Sequence, residues 1–371
     1  MNEPIVNQIR DQPRLLRELC GREGEVESWV KGAGKSTPRR VWLVGCGDMF
    51  FAASAAALHL QLCHALDVRA MRSMDLRWCR QTLLPQDWVV AASVSGRTPR
   101  TLEALRLARR SGARVLAISD DPAAPLAREA GEVLILGSAP VQLLRQGIYP
   151  GYATQVPQTR TFLAALQVFL AAGAHAFDVR LCLNEIPERV ERFLDPAEQA
   201  AMKIAAQWCN APLARVTVLA SGPTYPLAQY AAAKCLEYAV PAHAQCIEEF
   251  NHLEMFVEDE RSAVLALAPD SQSLQRWEEL RGSYRLLGSR CAEWSIGEGG
   301  VLPAVEPLCR PFVVAVAVQW TAVALARALG RDLTRWVGGV RTGEIHPLSQ
   351  RNVRGSRICD SADDFGDDAR T

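Results

Sequence analysis

Short apolar runs alternate with segments of helical periodicity over the first half of the chain. The apolar runs end at glycine, proline or aspartate and predict strands at 41–45, 67–71, 88–93, 114–118 and 132–136. The segments between them have apolar residues at helical spacing and predict helices near 49–65, 98–111, 123–130 and 156–176. Continuous apolar strands that alternate with helices are typical of a parallel sheet covered on both faces. The pattern therefore predicts an α/β fold.

The chain repeats this pattern in its second half. Residues 41–48 and residues 216–223 each form an apolar run that ends in a glycine-containing turn and leads into an alanine-rich helix. The offset of 175 residues also places the run at 88–94 over the run at 263–268. Two copies of one αβ unit are the economical explanation.

The repeat predicts a linear division of the chain into five segments. They are a helical lead-in at 1–35, the first copy at 36–183, a linking helix at 184–210, the second copy at 211–345 and a C-terminal tail at 346–371. The tail is acidic beyond Gly355, and its end is expected to fray.

The turn after the third predicted strand, Ser93-Val94-Ser95-Gly96-Arg97-Thr98, carries three hydroxyl side chains where a helix begins. Backbone N–H groups at a helix start have no partner within the helix, and the helix dipole there favours an anion. The hydroxyls and Arg97 would add further donors. We interpret the turn as a phosphate site. An ordinary Ser/Thr-capped turn is the alternative explanation.

The second copy lacks this hydroxyl turn. Its equivalent segment, at 268–273, has Asp270 where a phosphate would need a donor. Only the first copy is therefore expected to bind phosphate. In parallel sheets ligands bind at the carboxyl ends of the strands, where the first turn lies.

The charge balance excludes two classes of partner. The 371 residues include 41 basic and 41 acidic side chains, without a basic block. Such a chain gives no reason to expect nucleic acid or an anionic membrane as its main partner. The longest apolar stretch, at 312–330, is interrupted by Gln319 and Arg327, so we predict a buried helix there and no membrane span.

The eleven cysteines form no C-x-x-C pair, and the chain begins with a polar segment. Both features predict reduced thiols in the cytoplasm. His59, Cys63 and His64 are close in sequence, but their alanine- and leucine-rich surroundings favour a structural role over a metal site. No metal or cofactor is expected.

Separated stretches carry short motifs over nearly the whole length of the chain. They are Ile9-Arg10-Asp11-Gln12-Pro13, Gly45-Cys46-Gly47-Asp48, the turn from Ser93 to Thr98, Thr159-Arg160-Thr161-Phe162, Tyr225-Pro226 with Lys234-Cys235-Leu236-Glu237, and Glu249-Phe250-Asn251-His252. In this order they resemble the motifs of the double sugar-isomerase-domain (SIS) family, which includes the isomerase half of glucosamine-6-phosphate synthase and the fructosamine-6-phosphate deglycases.

The resemblance implies a fold and an assembly. The fold would be two tandem SIS domains, each a parallel five-stranded sheet flanked by helices in a flavodoxin-like three-layer sandwich. Sites of the family use a histidine from a second subunit, so the resemblance also implies a homodimer with shared active sites.

The resemblance also implies roles for individual residues. Glu237 would be the base that moves a proton between C1 and C2 of an open-chain sugar, and His252 would assist ring opening. One carboxylate over adjacent carbons suits such a transfer through an enediol, and histidine exchanges protons near neutral pH. The substrate-binding residues would be Gly47, Asp48, Ser93, Ser95, Gly96, Arg97, Thr98, Arg160 and Glu249. Arg160 could instead form a salt bridge at a helix end.

The chain departs from the family pattern at three places. Met49 stands where relatives have serine or threonine, and Leu253-Glu254 replaces the Gly-Pro that follows the histidine. Gly355 occupies the position of the lysine that forms a Schiff base in the synthases, and no lysine follows Lys234. Arginine is not a usable amine nucleophile, so an imine would have to come from Lys234 or would not form.

Three functions agree with these residues. The first is aldose–ketose isomerisation of a phosphorylated sugar or amino sugar. The second is removal of an amine from such a substrate, as a deaminase or deglycase. The third is a regulator that binds a sugar phosphate without turnover. The chain shows no glutaminase domain and no catalytic cysteine after Met1, so glutamine-dependent amination by this chain alone is not expected.

Overall fold

A computed structural model of the protein describes residues 3–32, 36–139, 158–296, 300–333 and 345–356. The chain forms two compact units. The first-sheet unit comprises residues 21–150, 164–181 and 345–371, and the second-sheet unit comprises residues 1–20, 151–163 and 182–344. The five linear segments stay a prediction, as does the tandem pair of domains.

The first-sheet unit is built on a parallel sheet of five strands in the order β2-β1-β3-β4-β5. The strands are β1 (Arg40–Gly45), β2 (Val68–Arg72), β3 (Asp87–Ala92), β4 (Arg114–Ser119) and β5 (Val133–Ile135). Its helices are α2 (Glu23–Lys31), α3 (Asp48–His64), α4 (Pro99–Arg110), α5 (Pro125–Ala130), α6 (Arg160–His175), which enters the unit at residue 164, and α12 (Ile345–Arg354). The five predicted strands are confirmed. Helix α12 forms within the predicted tail, whose acidic end lies outside the described residues.

The first sheet is covered on both faces because its strands are apolar on both faces. One face, with Trp42, Val89 and Val115, packs against Leu105 of α4 and Leu126 of α5. The other face packs against α3 and α6. Gly173 of α6 approaches so closely that an added Cβ would lie 2.5 Å from Leu60 and 3.5 Å from Val68.

The second-sheet unit contains a parallel sheet in the order β7-β6-β8-β9. The strands are β6 (Arg215–Ala220), β7 (Ala242–Cys246), β8 (Ser262–Ala268) and β9 (Arg290–Ser295). The helices are α1 (Pro4–Cys20), α7 (Ile186–Trp208), α8 (Tyr225–Glu237), α9 (Ile247–His252), α10 (Ser271–Leu286) and α11 (Arg310–Ala328). Strands β1 and β6 are offset by 175 residues, as are the starts of β3 and β8. The sequence repeat is therefore a repeat of structure.

The second sheet has four strands among the described residues, where we expected five. The sequence between β9 and α11 has no uninterrupted apolar run, because Pro303 and Pro307 divide it. Proline has no N–H to donate to a strand ladder. Residues 300–308 are accordingly neither helix nor strand.

Helix α11 lies in the core of the second-sheet unit. It is long and apolar enough to cross a membrane, but 89% of its most apolar segment is buried within the protein. Its one amide, Gln319, accepts a hydrogen bond from Gln12 Nε2 (2.8 Å) and donates one to Tyr230 Oη (3.0 Å). These two buried hydrogen bonds link α1, α11 and α8.

Substituting Gln319 by leucine is expected to lower the free energy of unfolding by about 2–6 kcal/mol, because two buried polar groups would each lose a partner at about 1–3 kcal/mol. Urea unfolding measures the loss. Gln275→Leu on the exposed face of α10 is the matched control and should change stability little. Equal losses in the two variants would contradict the structural role of the buried amide.

Candidate functional site

The hydroxyl turn, residues 93–98, connects the end of β3 to the start of α4. Ser93 Oγ and Thr98 Oγ1 lie 2.9 Å apart. Thr98 is the N-cap residue of α4, but its side chain makes no capping hydrogen bond. The geometry therefore does not support the explanation of an ordinary Ser/Thr-capped turn. Ser93 and Ser95 are buried, and Thr98 is partly exposed.

Gly96 gives the turn its shape. Its φ is +60°, in the region that side chains rarely adopt. An added Cβ would lie 2.5 Å from Ala124 Cβ and 2.9 Å from Ser119 Oγ. The backbone of Gly96 is fixed as well, since its N–H donates to Ser93 (2.9 Å) and its carbonyl accepts from Leu126 (3.1 Å). The turn is thus held against the loop that follows β4.

Arg97 supports the turn from within. Its guanidinium donates to Asp121 Oδ2 (2.7 Å) and to the backbone carbonyl of Ser95 (2.9 Å). Asp121 is fully buried, so its carboxylate needs this partner. We expected Arg97 to add donors for a phosphate. That role stays a prediction; in the structure the guanidinium makes two of its hydrogen bonds within the turn and so also helps to position it.

The loop after β1 lies at the same edge of the first sheet. Gly47 has φ +55° and is the N-cap residue of α3, and Asp48 is the first residue of that helix. Met49, which stands where the resemblance implies a hydroxyl residue, is 6% exposed. Its side chain therefore contributes to the core and cannot contribute a polar contact.

Glu237 is the last residue of α8, and Lys234 lies one turn before it. Lys234 Nζ is 2.7 Å from Glu237 Oε2 and donates to the carbonyl of Gln158 at 3.0 Å. The lysine is 1% exposed, whereas a quarter of the Glu237 side chain is exposed. A buried ammonium needs such partners, and an ion-paired ammonium is not a nucleophile. The pair therefore speaks against an imine on Lys234.

Tyr238 borders this ion pair. Burial, and then the charge of Glu237, raises the pKa of Tyr238 well above its ordinary value. Its phenol therefore stays protonated beside the carboxylate.

His252 is the exposed last residue of α9. Glu248, one turn earlier, pairs with Arg276, which lowers the pKa of the Glu248 carboxyl, and His252 lowers it further. Glu249 is exposed on the same short helix.

Arg160 begins α6, and its Nη1 lies 3.2 Å from Asp11 Oδ2 of α1. It lines an open cleft of about 450 Å³ together with Asn7, Gln8 and Arg10. Of the two roles considered for Arg160, the structure contains the salt bridge at a helix end.

The candidate residues fall into two groups. The hydroxyl turn, Gly47 and Asp48 belong to the first-sheet unit. Glu237, His252, Glu249 and Arg160 belong to the second-sheet unit. Sequence reasoning missed two contacts: the carbonyl of Gln158 that accepts from Lys234, and the carboxylate of Asp121 that holds Arg97. Neither partner has a motif of its own.

The turn of the second copy is closed by its own carboxylate. Asp270 is the N-cap residue of α10, and its carboxylate accepts from the backbone N–H of Ser273 (2.9 Å) and from its hydroxyl (3.0 Å). A side-chain anion thus already occupies the helix start where the first copy has hydroxyls. This contrast supports phosphate binding by the first copy alone.

Known proteins resemble the chain in sequence. Residues 36–165 match the family model of the SIS domain, which confirms the resemblance over that part. The chain is 27% identical over 335 residues to the isomerizing glutamine–fructose-6-phosphate aminotransferase of Zymomonas mobilis, in an alignment that covers 84% of this chain and 53% of that protein. The chain thus spans about half the length of the curated relatives it matches.

Solved structures resemble the chain in fold. The C-terminal domain of glucosamine-fructose-6-phosphate aminotransferase from Francisella tularensis superposes with a TM-score of 0.73 at 16% identity, covering 90% of this chain and 98% of that one. Glucosamine-6-phosphate deaminase from Thermotoga maritima superposes with a TM-score of 0.71 at 19% identity, covering 91% and 99%. At these identities the likeness establishes the fold alone.

Proposed function

We propose that this chain, whose residues 36–165 match the SIS domain, binds a phosphorylated sugar or amino sugar and moves a proton between C1 and C2 of it. The observation that carries the proposal is the hydroxyl turn with an N-cap threonine whose side chain does not cap its helix. The names of the sequence relatives, which are isomerizing enzymes of fructose 6-phosphate, support the substrate class.

The proposed chemistry needs one carboxylate and one proton-exchanging group. Glu237 takes a proton from one carbon of the open-chain sugar and returns it to the neighbouring carbon, through an enediol or its amino counterpart. The adjacent Lys234 ammonium holds the carboxylate by an ion pair, so its position is defined. His252 exchanges protons with the ring oxygen and the anomeric hydroxyl during ring opening.

Deuterium exchange tests the proposed reaction. The protein is incubated in deuterated water with fructose 6-phosphate, glucose 6-phosphate or glucosamine 6-phosphate, and deuterium at C1 and C2 is followed by NMR. Deuterium incorporation supports the proposal. Incorporation together with ammonia release indicates the deaminase alternative. A ligand-induced rise in melting temperature without incorporation would overturn the enzymatic proposal in favour of a regulator.

Thr98→Val is expected to weaken binding of a sugar phosphate about ten- to a hundredfold, since one hydrogen bond to a charged group contributes about 1.5–3 kcal/mol. Titration calorimetry with a hexitol 6-phosphate, which cannot turn over, measures the dissociation constant. Thr217→Val in β6 is the control, because the Thr217 hydroxyl is buried without a hydrogen-bond partner. An unchanged dissociation constant in Thr98→Val would refute the phosphate role of the turn.

We propose a homodimer and a reducing compartment as the setting of this activity. The resemblance assigns His252 to a neighbouring subunit's site, and the exposure of His252 in this chain agrees with that role. The ten cysteines within the described residues are all free thiols, as a reducing cytoplasm would require.

A further inference from the structure

The residues that follow and precede His252 are both tied to other elements of the second-sheet unit. Glu254 lies two positions after His252. Its carboxylate contacts His243 Nε2 and accepts a hydrogen bond from Gln245 Nε2 at 2.7 Å. His243 and Gln245 are alternate residues of β7, so both side chains point to the same face of the sheet.

The amide of Gln245 is itself oriented. Its Oε1 accepts a hydrogen bond from the backbone N–H of Cys246 at 2.8 Å, while its Nε2 donates to Glu254. The carboxylate therefore meets two side chains whose positions are set by the strand. A two-point contact fixes a carboxylate more closely than a single hydrogen bond does.

Asn251 provides the second attachment, on the other side of His252. Its Oδ1 accepts from Tyr284 Oη of α10 at 2.8 Å, and its Nδ2 donates to the carbonyl of Ile247 at 2.5 Å. Tyr284 is fully buried, and burial raises its pKa to about 12, so its hydroxyl remains a donor. In contrast, His252, Leu253 and Phe256 are exposed.

We propose that His243, Gln245 and Glu254 form a clamp that positions the turn of His252 for ring opening. The clamp acts through the backbone: with Asn251 anchored to α10 and Glu254 anchored to β7, the exposed histidine between them is held by both neighbours. The inference rests on the proposed function, in which His252 opens the sugar ring.

The test compares a substrate that must open its ring with one that cannot form a ring. Glu254→Ala is expected to lower kcat for fructose 6-phosphate about ten- to a hundredfold, at the lower end of what a misplaced proton-transfer group costs. 5-Deoxyfructose 6-phosphate lacks the hydroxyl that closes the ring and needs no ring opening. Its turnover by Glu254→Ala should therefore stay within about twofold of its turnover by the parent protein. Glu254→Gln keeps one acceptor oxygen but replaces the other with an NH2 group, so it can keep one of the two contacts and should restore part of the loss.

One control variant separates the clamp from general damage. Glu279→Ala removes an exposed carboxylate of α10 that also has a cationic partner and should leave both substrates unaffected. Equal losses on both substrates in Glu254→Ala would mean a merely structural effect and would overturn the positioning role.

Amide hydrogen exchange tests the clamp without any catalysis. Residues 250–257 should exchange faster in Glu254→Ala than in the parent protein, while other elements keep their rates. Unchanged exchange in this segment would refute the clamp whatever the activity data show. Faster exchange in a protein whose parent form has no activity on sugar phosphates would refute the proposed function and leave the clamp in place.

Discussion

Glu237→Gln is expected to lower the rate of deuterium incorporation at C1 and C2 by about 10²- to 10⁴-fold, the range for loss of a general base. The amide has nearly the shape of the carboxylate but cannot accept the proton. Binding of a hexitol phosphate should be unchanged, because the phosphate donors belong to other residues. Proton NMR of the substrate and titration calorimetry measure the two quantities on the same protein.

The ion pair with Lys234 makes a stability control necessary. Glu237→Gln leaves a buried ammonium without its counter-charge, and breaking a buried pair costs about 3–5 kcal/mol. Since a quarter of the Glu237 side chain is exposed, we expect the lower part of that range. The double variant Lys234→Met, Glu237→Gln removes both charges and should recover stability while remaining inactive. Full exchange activity in folded Glu237→Gln would show that the base is another residue.

Gly96→Ala is expected to abolish detectable binding of a hexitol phosphate and to destabilise the protein by about 2–4 kcal/mol. About 1 kcal/mol comes from the left-handed backbone, and about 1–3 kcal/mol comes from overpacking. The new Cβ would have to displace Ala124 or Ser119, both of which support the turn. Calorimetry measures binding, and urea unfolding measures stability.

Gly131 offers a matched control in the same unit. Its φ is +75°, but an added Cβ would meet nothing within 4 Å. Gly131→Ala should therefore lose only the backbone contribution of about 1 kcal/mol and bind ligand normally. The close packing of the hydroxyl turn would be ruled out if the two alanine variants had the same stability and the same affinity.

The fold could be predicted well where its physical cause is local. A strand buried on both faces is a continuous apolar run, so β1, β3 and β4 were visible in the sequence to within a residue or two. The fifth strand of the second copy was expected from the resemblance to the SIS family. Pro303 and Pro307 contradict it, and these residues were available in the sequence.

The candidate site was predictable at the level of motifs and less so at the level of contacts. The hydroxyl turn and the Lys234–Glu237 spacing follow from neighbouring positions in the chain. The partner of Arg97 lies 24 residues away, and Gln158 lies 76 residues from Lys234. Such pairs depend on which strands and loops are neighbours in the fold. The spacing of residues in a single sequence does not indicate which distant segments come together. Glu254 was noticed, but its partners on β7 were not predictable.

The cap that Asp270 forms on α10 has a consequence for ligand stoichiometry. A chain with two equivalent halves would take up two equivalents of sugar phosphate, and each would compete for a shared pool of ligand. In this chain the helix start of the second half is already occupied by an anion of the protein itself, the carboxylate of Asp270. Under the proposed function one chain therefore saturates with a single equivalent of sugar phosphate. The second half then contributes catalytic residues and no phosphate site.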